Sequence, residues 1–349
     1  MTNQSLVEII ARVAPGSPLR EGIDYILDAG IGALIIIGYD DEVEKVRDGG
    51  FYINCKYTPE RIFELSKMDG AIILNDDCTE ILYANVHVQP NKIYSTTESG
   101  TRHRTAERTA KQLKREVVAI SERKKIVTLY KDDLKYRLKN FDELNIEVGQ
   151  VLKTLESYRH VLNRSLDNLT ILELDDLVTV FDVANTLQRF EMVRRIREEI
   201  SRYLLELGSG GRLINMQVSE LVWEVDNEED SFLKDYVSEE TDSESVKKYL
   251  HSLTDSELLE VENIVVALGY TKSSTVLDNK IVAKGYRVLE KISKLTKKDV
   301  EKIVSTYQDI SEIQEATDED LVAIKISKFK IKALRAGINR LKFTIEMQR

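Results

Sequence analysis

Apolar positions recur with two different rhythms along the 349 residues. "SLVEIIARVA" (5–14) places them three and four apart and is closed by "PGSP"; "LREGIDYILDAG" (19–30) does the same and stops at Gly30. Both predict amphipathic helices. "GALIIIG" is too short and too apolar for anything but a buried strand. "YTPERIFELSKM" starts a helix with Thr58 as N-cap and Pro59 at the first helical position. "AIILN", "ILYANVHV", "EVVAIS" and "IVTLYK" read as further strands, and "TAERTAKQLKRE" as a helix beginning near Thr105. Strands and helices in this order predict an α/β unit, a mixed central sheet with flanking helices.

From about Phe141 the period becomes helical throughout. "LNIEVGQVLKTLESYRHVLNRSLDNL" and "LVTVFDVANTLQRFEMVRRIREEISRYLLEL" are long helices. "GSGGR" (208–212) breaks the run; with no strand before it and no Lys-Ser/Thr after it, it is a connector and not a phosphate loop. Residues 264–349 predict about five short helices. All four prolines lie in the first 90 residues, which separates an α/β part from an all-α remainder.

The net charge of −10 argues against indiscriminate nucleic-acid binding by the whole molecule, but the charge is uneven. Residues 219–263 hold 15 acids against three lysines and read as a solvated helical face and loop, whereas 324–349 hold eight bases against one acid. Such asymmetry points to an interaction tail. Cys55 and Cys78 lack metal-type spacing and predict reduced thiols. No apolar run is long enough to span a bilayer and no signal peptide is evident, so a cytoplasmic protein without membrane contact is expected.

Two short stretches carry candidate chemistry. In "SKMDGAIILNDD", Asp69-Gly70 stands between a helix and a strand, where the carboxylate could bind Mg²⁺ or polarise a hydroxyl, or belong to an ordinary Asp-Gly turn. In "SGTRHRTAER", Arg102, His103, Arg104 and Arg108 crowd a helix start, the pole that prefers acidic neighbours. A bound anion resolves the conflict, since free N–H groups at a helix start are natural phosphate sites. One carboxylate on a glycine turn and four cationic side chains together suit a metal–polyphosphate ligand. His103 by itself is more often a surface histidine than a catalytic one.

"MDGAIIL", "YANVHVQP" and "SGTRHRTAER" resemble the Asp-Gly-Ala and Arg-His-Arg motifs of the diadenylate cyclase family. The whole chain is similar in order to the bacterial DNA integrity scanning family. The resemblance implies a cyclase domain over 1–140, a helical linker over 141–283 and a helix-hairpin-helix domain over 284–349. It further implies that two ATP molecules in facing domains condense to cyclic di-AMP and two pyrophosphates with Mg²⁺ or Mn²⁺, within a homo-octamer. By motif match, Asp69 would hold the metal and the 3′-hydroxyl and Gly70 would contact nucleotide. Val88 would line the adenine site, and Thr101, Arg102, His103, Arg104 and Thr105 would bind phosphate. Ser121 is favoured over Glu122 or Arg123 as a contact residue, and His87 is either a buried strand histidine or a site residue.

The C-terminus departs from the family. A DNA-binding hairpin presents Gly-apolar-Gly, and "LVAIKISKFKIKALRAGI" has Lys325-Ile326-Ser327 there; "KLTKKDVEKI" also lacks glycine. A Cβ at Lys325 could spoil the hairpin's backbone, so DNA contact is expected through charge, from Lys325, Ser327, Lys328, Lys330 and Lys332, with Arg335, Arg340 and Lys342 adding to the field. The alternative is a DNA-binding scaffold whose nucleotide site is idle.

Overall fold

The computed structural model describes residues 9–237, 242–307 and 309–346. They form two compact units, 1–150 with 200–216, and 151–199 with 217–349. The first is a mixed sheet with helices on both faces. Its central strand β1 (Ala33–Ile37) pairs in parallel with β4 (Ala71–Leu74) and antiparallel with β6 (Glu116–Ser121). Antiparallel pairing then extends the sheet through β7 (Ile126–Lys131) and β8 (Leu134–Arg137) on one side. On the other it runs through β5 (Glu80–Val88) to β2 (Arg47–Asp48), with β3 (Phe51–Lys56) also on β5.

All five β1 residues are buried, because both faces are covered. Alternation sends Ala33, Ile35 and Ile37 to a core shared with Ile23 and Ile26 of α1 (Pro18–Asp28) and Ile62 of α3 (Pro59–Ser66). Leu34 and Ile36 meet Val43 and Val46 of α2 (Asp41–Val46) and Ala106 and Ala110 of α4 (Thr101–Leu113) on the other side. Thr58 caps α3 through Arg61 N, with Pro59 in the first turn. The helix expected over 5–14 is seen at 9–12; residues 1–8 lie outside the described part. The sequence pattern passed over α2, β2, β3 and β8, all short or exposed. It also began α4 four residues late, at Thr105 instead of Thr101.

The remainder is helical: α5 (Phe141–Leu174) and α6 (Val180–Leu207), then Gly208–Gly211 as one 3₁₀ turn, then α7 (Arg212–Val222), α8 (Val225–Tyr236), α9 (Ser243–Ser252), α10 (Asp255–Leu259) and α11 (Val261–Ala267). Five more follow: α12 (Tyr286–Glu290), α13 (Lys297–Tyr307), α14 (Ile310–Glu315), α15 (Asp318–Ala323) and α16 (Lys328–Glu346). The acidic stretch is not only a solvated face: Glu229 and Asp235 are buried. Asp235 accepts the backbone N–H of Gly285, Tyr286 and Arg287 at 2.8, 2.6 and 2.9 Å, satisfying the start of α12 from another helix. Arg287, 2% exposed, forks onto Glu173 of α5 and donates to Thr170 Oγ1 and Leu166 O, while Tyr236 donates to the same Glu173.

At the end of α15, Lys325 N–H reaches Val322 O and Ile326 N–H reaches Leu321 O. With Lys325 at φ 63°, this is the reverse-turn cap that helices usually build on glycine. Buried Ile326 and Leu321 close it, and Ser327 Oγ accepts Lys330 N at 3.4 Å to start α16. The Cβ of Lys325 has not prevented the left-handed turn; it is an exposed residue carrying a cost of about 1–2 kcal/mol.

Removing one partner of a buried ion pair strands the other. Arg287→Met is expected to lower the stability of the second unit by about 3–5 kcal/mol in urea titrations. Arg287→Met with Glu173→Leu should regain part of that loss, since Glu173 is no longer stranded as an orphan charge, while the Tyr236 hydroxyl loses its acceptor and buried Asp235 its nearby cation.

Candidate active site

A cleft of 460 Å³ opens at one end of the sheet, where β1 and β4 begin and β5 and β6 finish. Leu34, Gly70 and Ala71 contribute from the strand starts, and Val86, His87, Val88 and Ser121 from the strand ends. Glu122 and Arg123 line it beside Ser121. His87 is exposed on the cleft and is not a buried strand histidine. Asp69 is exposed in the turn before β4; it is not among the lining residues, although Gly70 beside it is.

At Gly70 the backbone of the cleft is tightly constrained. Its φ is +103°, and a Cβ would stand 2.8 Å from Val86 O and 2.9 Å from Val86 N. The turn therefore presses on β5 at a close approach only glycine allows. On the β5 side, Asn85 at φ 55° marks the register shift between the Ala71 and Ile73 pairings, a bulge of the sort that re-aims side chains at strand ends.

The opposite wall is the first turn of α4. Its N-cap is Gly100, which offers no side chain, and the first turn holds no acid. The early N–H groups are thus left to water or a ligand. Thr101, Arg102, His103 and Thr105 line the cleft. Arg102 lies against Gly32, where any Cβ would fall 2.0 Å from its Nη1. The other two cations turn elsewhere. Arg104 donates to Ser99 O at 3.1 Å and is outside the lining; Arg108 donates to Tyr94 O at 3.0 Å. With Lys111 on Ser95 O, and Thr96 Oγ1 and Thr97 N both on Glu107, they strap the segment 91–100 along the helix. Of the four cations, Arg102 and His103 thus face the cleft, while Arg104 in the first turn and Arg108 two turns into the helix build its edge.

Two residues here were missed from sequence. His103 Nδ1 is 3.1 Å from Tyr130 Oη, and Tyr130 donates to Glu98 Oε1 at 2.7 Å. Lys135 pairs with Glu98 at 2.5 Å. Burial lowers the pKa of His103 despite Glu98, and Arg102, Lys135 and Lys124 lower it further. "IVTLYK" gives no hint that its Tyr130 does more than fill the core.

Among the described residues no three His, Cys, Asp or Glu gather as a metal site. Two carboxylates stand at the cleft, Glu122 in its lining and Asp69 next to the lining residue Gly70; an exposed carboxylate such as Asp69 fits a hard dication that takes most of its ligands from water and phosphate oxygens.

Comparison with known proteins defines the class first. Residues 20–134 match the nucleotide-binding region, and residues 138–277 the linker region, of the DisA bacterial checkpoint controller. The chain belongs to the DisA family. It is 86% identical over 349 residues, the whole of both chains, to the DNA integrity scanning protein DisA of Fusobacterium nucleatum subsp. nucleatum. It is 42% identical over 345 residues to that of Carboxydothermus hydrogenoformans, covering 98% of each chain. The DisA of Bacillus subtilis is 42% identical over 338 residues, 96% of this chain and 94% of that one. No helix among the described residues is long and apolar enough to cross a membrane.

Gly70→Ala should cost more than the roughly 1–3 kcal/mol of a strained backbone, because the new methyl also displaces β5. Gly49→Ala isolates the backbone share, since Gly49 has φ +67° with nothing within 4 Å of its Cβ. Thermal melts of the two variants should separate, Gly70→Ala lying lower.

Proposed function

We propose that this chain condenses two ATP molecules into cyclic di-AMP and two pyrophosphates. The observation that carries the reading is the uncapped, acid-free start of α4, which turns Arg102, His103 and several amides onto the cleft within the matched nucleotide-binding region. The cleft's volume suits one nucleotide. Val88 would lie against the adenine, Gly70 would contact nucleotide, and Thr101, Arg102, His103, Thr105 and Ser121 would meet the phosphates. Arg104, bonded to Ser99 O, would act by fixing the strap that leads into the helix. Asp69 would hold Mg²⁺ or Mn²⁺, which when bound lowers the cost of deprotonating the 3′-hydroxyl and of charge developing on phosphate.

In each half-reaction a 3′-oxygen forms a bond to the other nucleotide's α-phosphorus, the bond to pyrophosphate breaks, and the hydroxyl proton leaves. Ring closure needs two such events in opposite directions, so two clefts must face each other. A homo-octamer with face-to-face cyclase domains satisfies this requirement, and a cytoplasmic location supplies the ATP.

We further propose that residues 284–349 act as a helix-hairpin-helix-like DNA contact. The turn at Lys325 supports it, because the left-handed conformation of a glycine hairpin is kept with a lysine in place. Lys325, Ser327, Lys328 and Lys332 are exposed around it. Lys330 is committed differently: it bonds Asp299, the residue that caps α13 with Thr296, at 2.5 Å. Coupling of DNA contact to cyclase output would make the chain a sensor of DNA structure; an idle nucleotide site would make it a scaffold.

Purified protein incubated with ATP and Mg²⁺ or Mn²⁺ should yield cyclic di-AMP. Asp69→Asn should fold normally and lose product by orders of magnitude, and Arg102→Ala should weaken nucleotide binding by about 1.5–3 kcal/mol. No product from folded wild-type protein would leave the scaffold reading.

For DNA, log K should fall with log salt by about 0.9 per phosphate neutralised, with little preference among base sequences. Lys328→Glu with Lys332→Glu should abolish gel shifts while leaving basal cyclase activity intact. Lys330 is left unchanged in that test because its loss would uncouple Asp299. Absence of binding by the wild type at low salt rejects the DNA role.

A further inference from the structure

Tyr130 has one hydroxyl proton and two neighbours that compete for it. Glu98 sits 2.7 Å away and, while ionised, can only accept. Burial works against that ionised form, but the bonds from Lys135 and Tyr130 prevail and hold the Glu98 carboxyl below its ordinary range. Burial and Glu98 also raise the pKa of Tyr130, so its proton stays in place. The hydroxyl proton therefore goes to Glu98, and the Tyr130 oxygen is left as an acceptor. Across 3.1 Å, His103 Nδ1 must then be the donor. An imidazole with its proton on Nδ1 has a bare Nε2, and His103 is a lining residue of the cleft.

We propose that Tyr130 and Glu98 are positioning residues that fix His103 as the Nδ1–H tautomer, so that Nε2 takes up a proton from solvent when a nucleotide triphosphate enters the cleft. Both parts use the same geometry. A neutral Nε2 facing phosphate oxygens would set a lone pair against lone pairs, and one added proton converts that repulsion into a charge-assisted hydrogen bond. Glu98, two hydrogen bonds away, is the anion that balances the imidazolium.

The charged groups facing His103 are Glu98 from the strap, Arg102 from α4, Lys135 from β8 and Lys124 from the turn between β6 and β7. Three of the four are cations, and burial adds to them. They disfavour imidazolium before an anion arrives and cease to dominate once a polyanion does. The site thus becomes protonated on binding rather than beforehand. The proton-uptake half rests on the ATP reading above; the tautomer does not.

The tautomer is measured without nucleotide. Four histidines make the ¹⁵N spectrum of sedimented, histidine-labelled protein simple under magic-angle spinning, and His103→Gln assigns the signal. The expected wild-type signature is a protonated Nδ1 and bare Nε2, giving way in Tyr130→Phe to the Nε2–H form that histidine prefers in water. Glu98→Gln should keep the tautomer, because an amide oxygen still accepts from Tyr130.

Calorimetry with 3′-deoxy-ATP and Mg²⁺, in buffers of differing ionisation enthalpy at neutral pH, counts protons. Wild type should take up more per site than His103→Gln, by up to about one, and Glu98→Gln should fall between them. An Nε2–H signal in the wild type, or a tautomer unchanged in Tyr130→Phe, overturns the relay. Equal uptake in wild type and His103→Gln overturns the proton step. If 3′-deoxy-ATP does not bind the wild type at all, the ATP reading fails and the proton step with it, while the tautomer still decides the relay.

Discussion

The fully buried strand β1 is the constraint from which the N-terminal unit follows. Its four largest side chains, Leu34 to Ile37, are each worth about 1.5–3 kcal/mol when removed from water, and they point to opposite faces in turn. Neither face can be left open, so helices must cover both. On one side α1 and α3 do this with isoleucines. On the other, α4 does it with Ala106 and Ala110, which bring its axis close to the sheet. Close seating fixes where α4 begins, and it begins at the strand ends that form the cleft. The site is a consequence of how β1 is enclosed.

Much of that plan was legible. The β1 run, the Thr58-Pro59 helix start and the strands at 71–75, 81–88, 116–121 and 126–131 announce themselves by apolar content and capping chemistry. What escaped lacked such signals. Strand β3 has no fully buried position and gains its structure from pairing with β5; α2 is six residues long and rests on Asp40 as its cap. The start of α4 was placed late because Gly100 has no capping side chain and because cations at a helix start look like residues outside a helix. Within the site, motif spacing collected the cleft residues but could not divide the cations. Arg102 and Arg104 are equivalent in sequence and differ in space, one beside Gly32 and the other on Ser99 O.

Composition described the second unit less well, for a physical reason. Counting acids over 219–263 treats them as interchangeable, yet folding spends them differently. Asp235 replaces missing acceptors at the start of α12, and Glu229 lies beside Arg194 and Lys247 in the interior. The basic end shows the same division. Lys330 is held by Asp299, and Arg335 donates to the carbonyls of Ile313, Gln314 and Ala316. A charge engaged in capping or in closing a turn contributes less to a surface field than an exposed one, so the field of the basic end is smaller than its count of bases and comes chiefly from the exposed Lys325, Lys328, Lys332, Arg340 and Lys342.

The cations at the start of α4 can be weighed in the same way. Each cation at a helix N-terminus is disfavoured by about 0.3–1 kcal/mol, and Gly100 and the acid-free first turn do nothing to offset it. The cost is small because Arg104 turns away to bond Ser99 O and Arg108 stands two turns into the helix, beyond the reach of the pole. Arg102 and His103 instead face the cleft; one rests on a glycine and the other is held by Tyr130. A triphosphate would change the sign for both, since each charge-assisted bond to phosphate returns about 1.5–3 kcal/mol, more than the helix pole withholds. A helix start arranged in this way is mildly unfavourable for the fold by itself and favourable with a polyanion present. That difference is the form in which binding energy for an anion is stored in a folded chain.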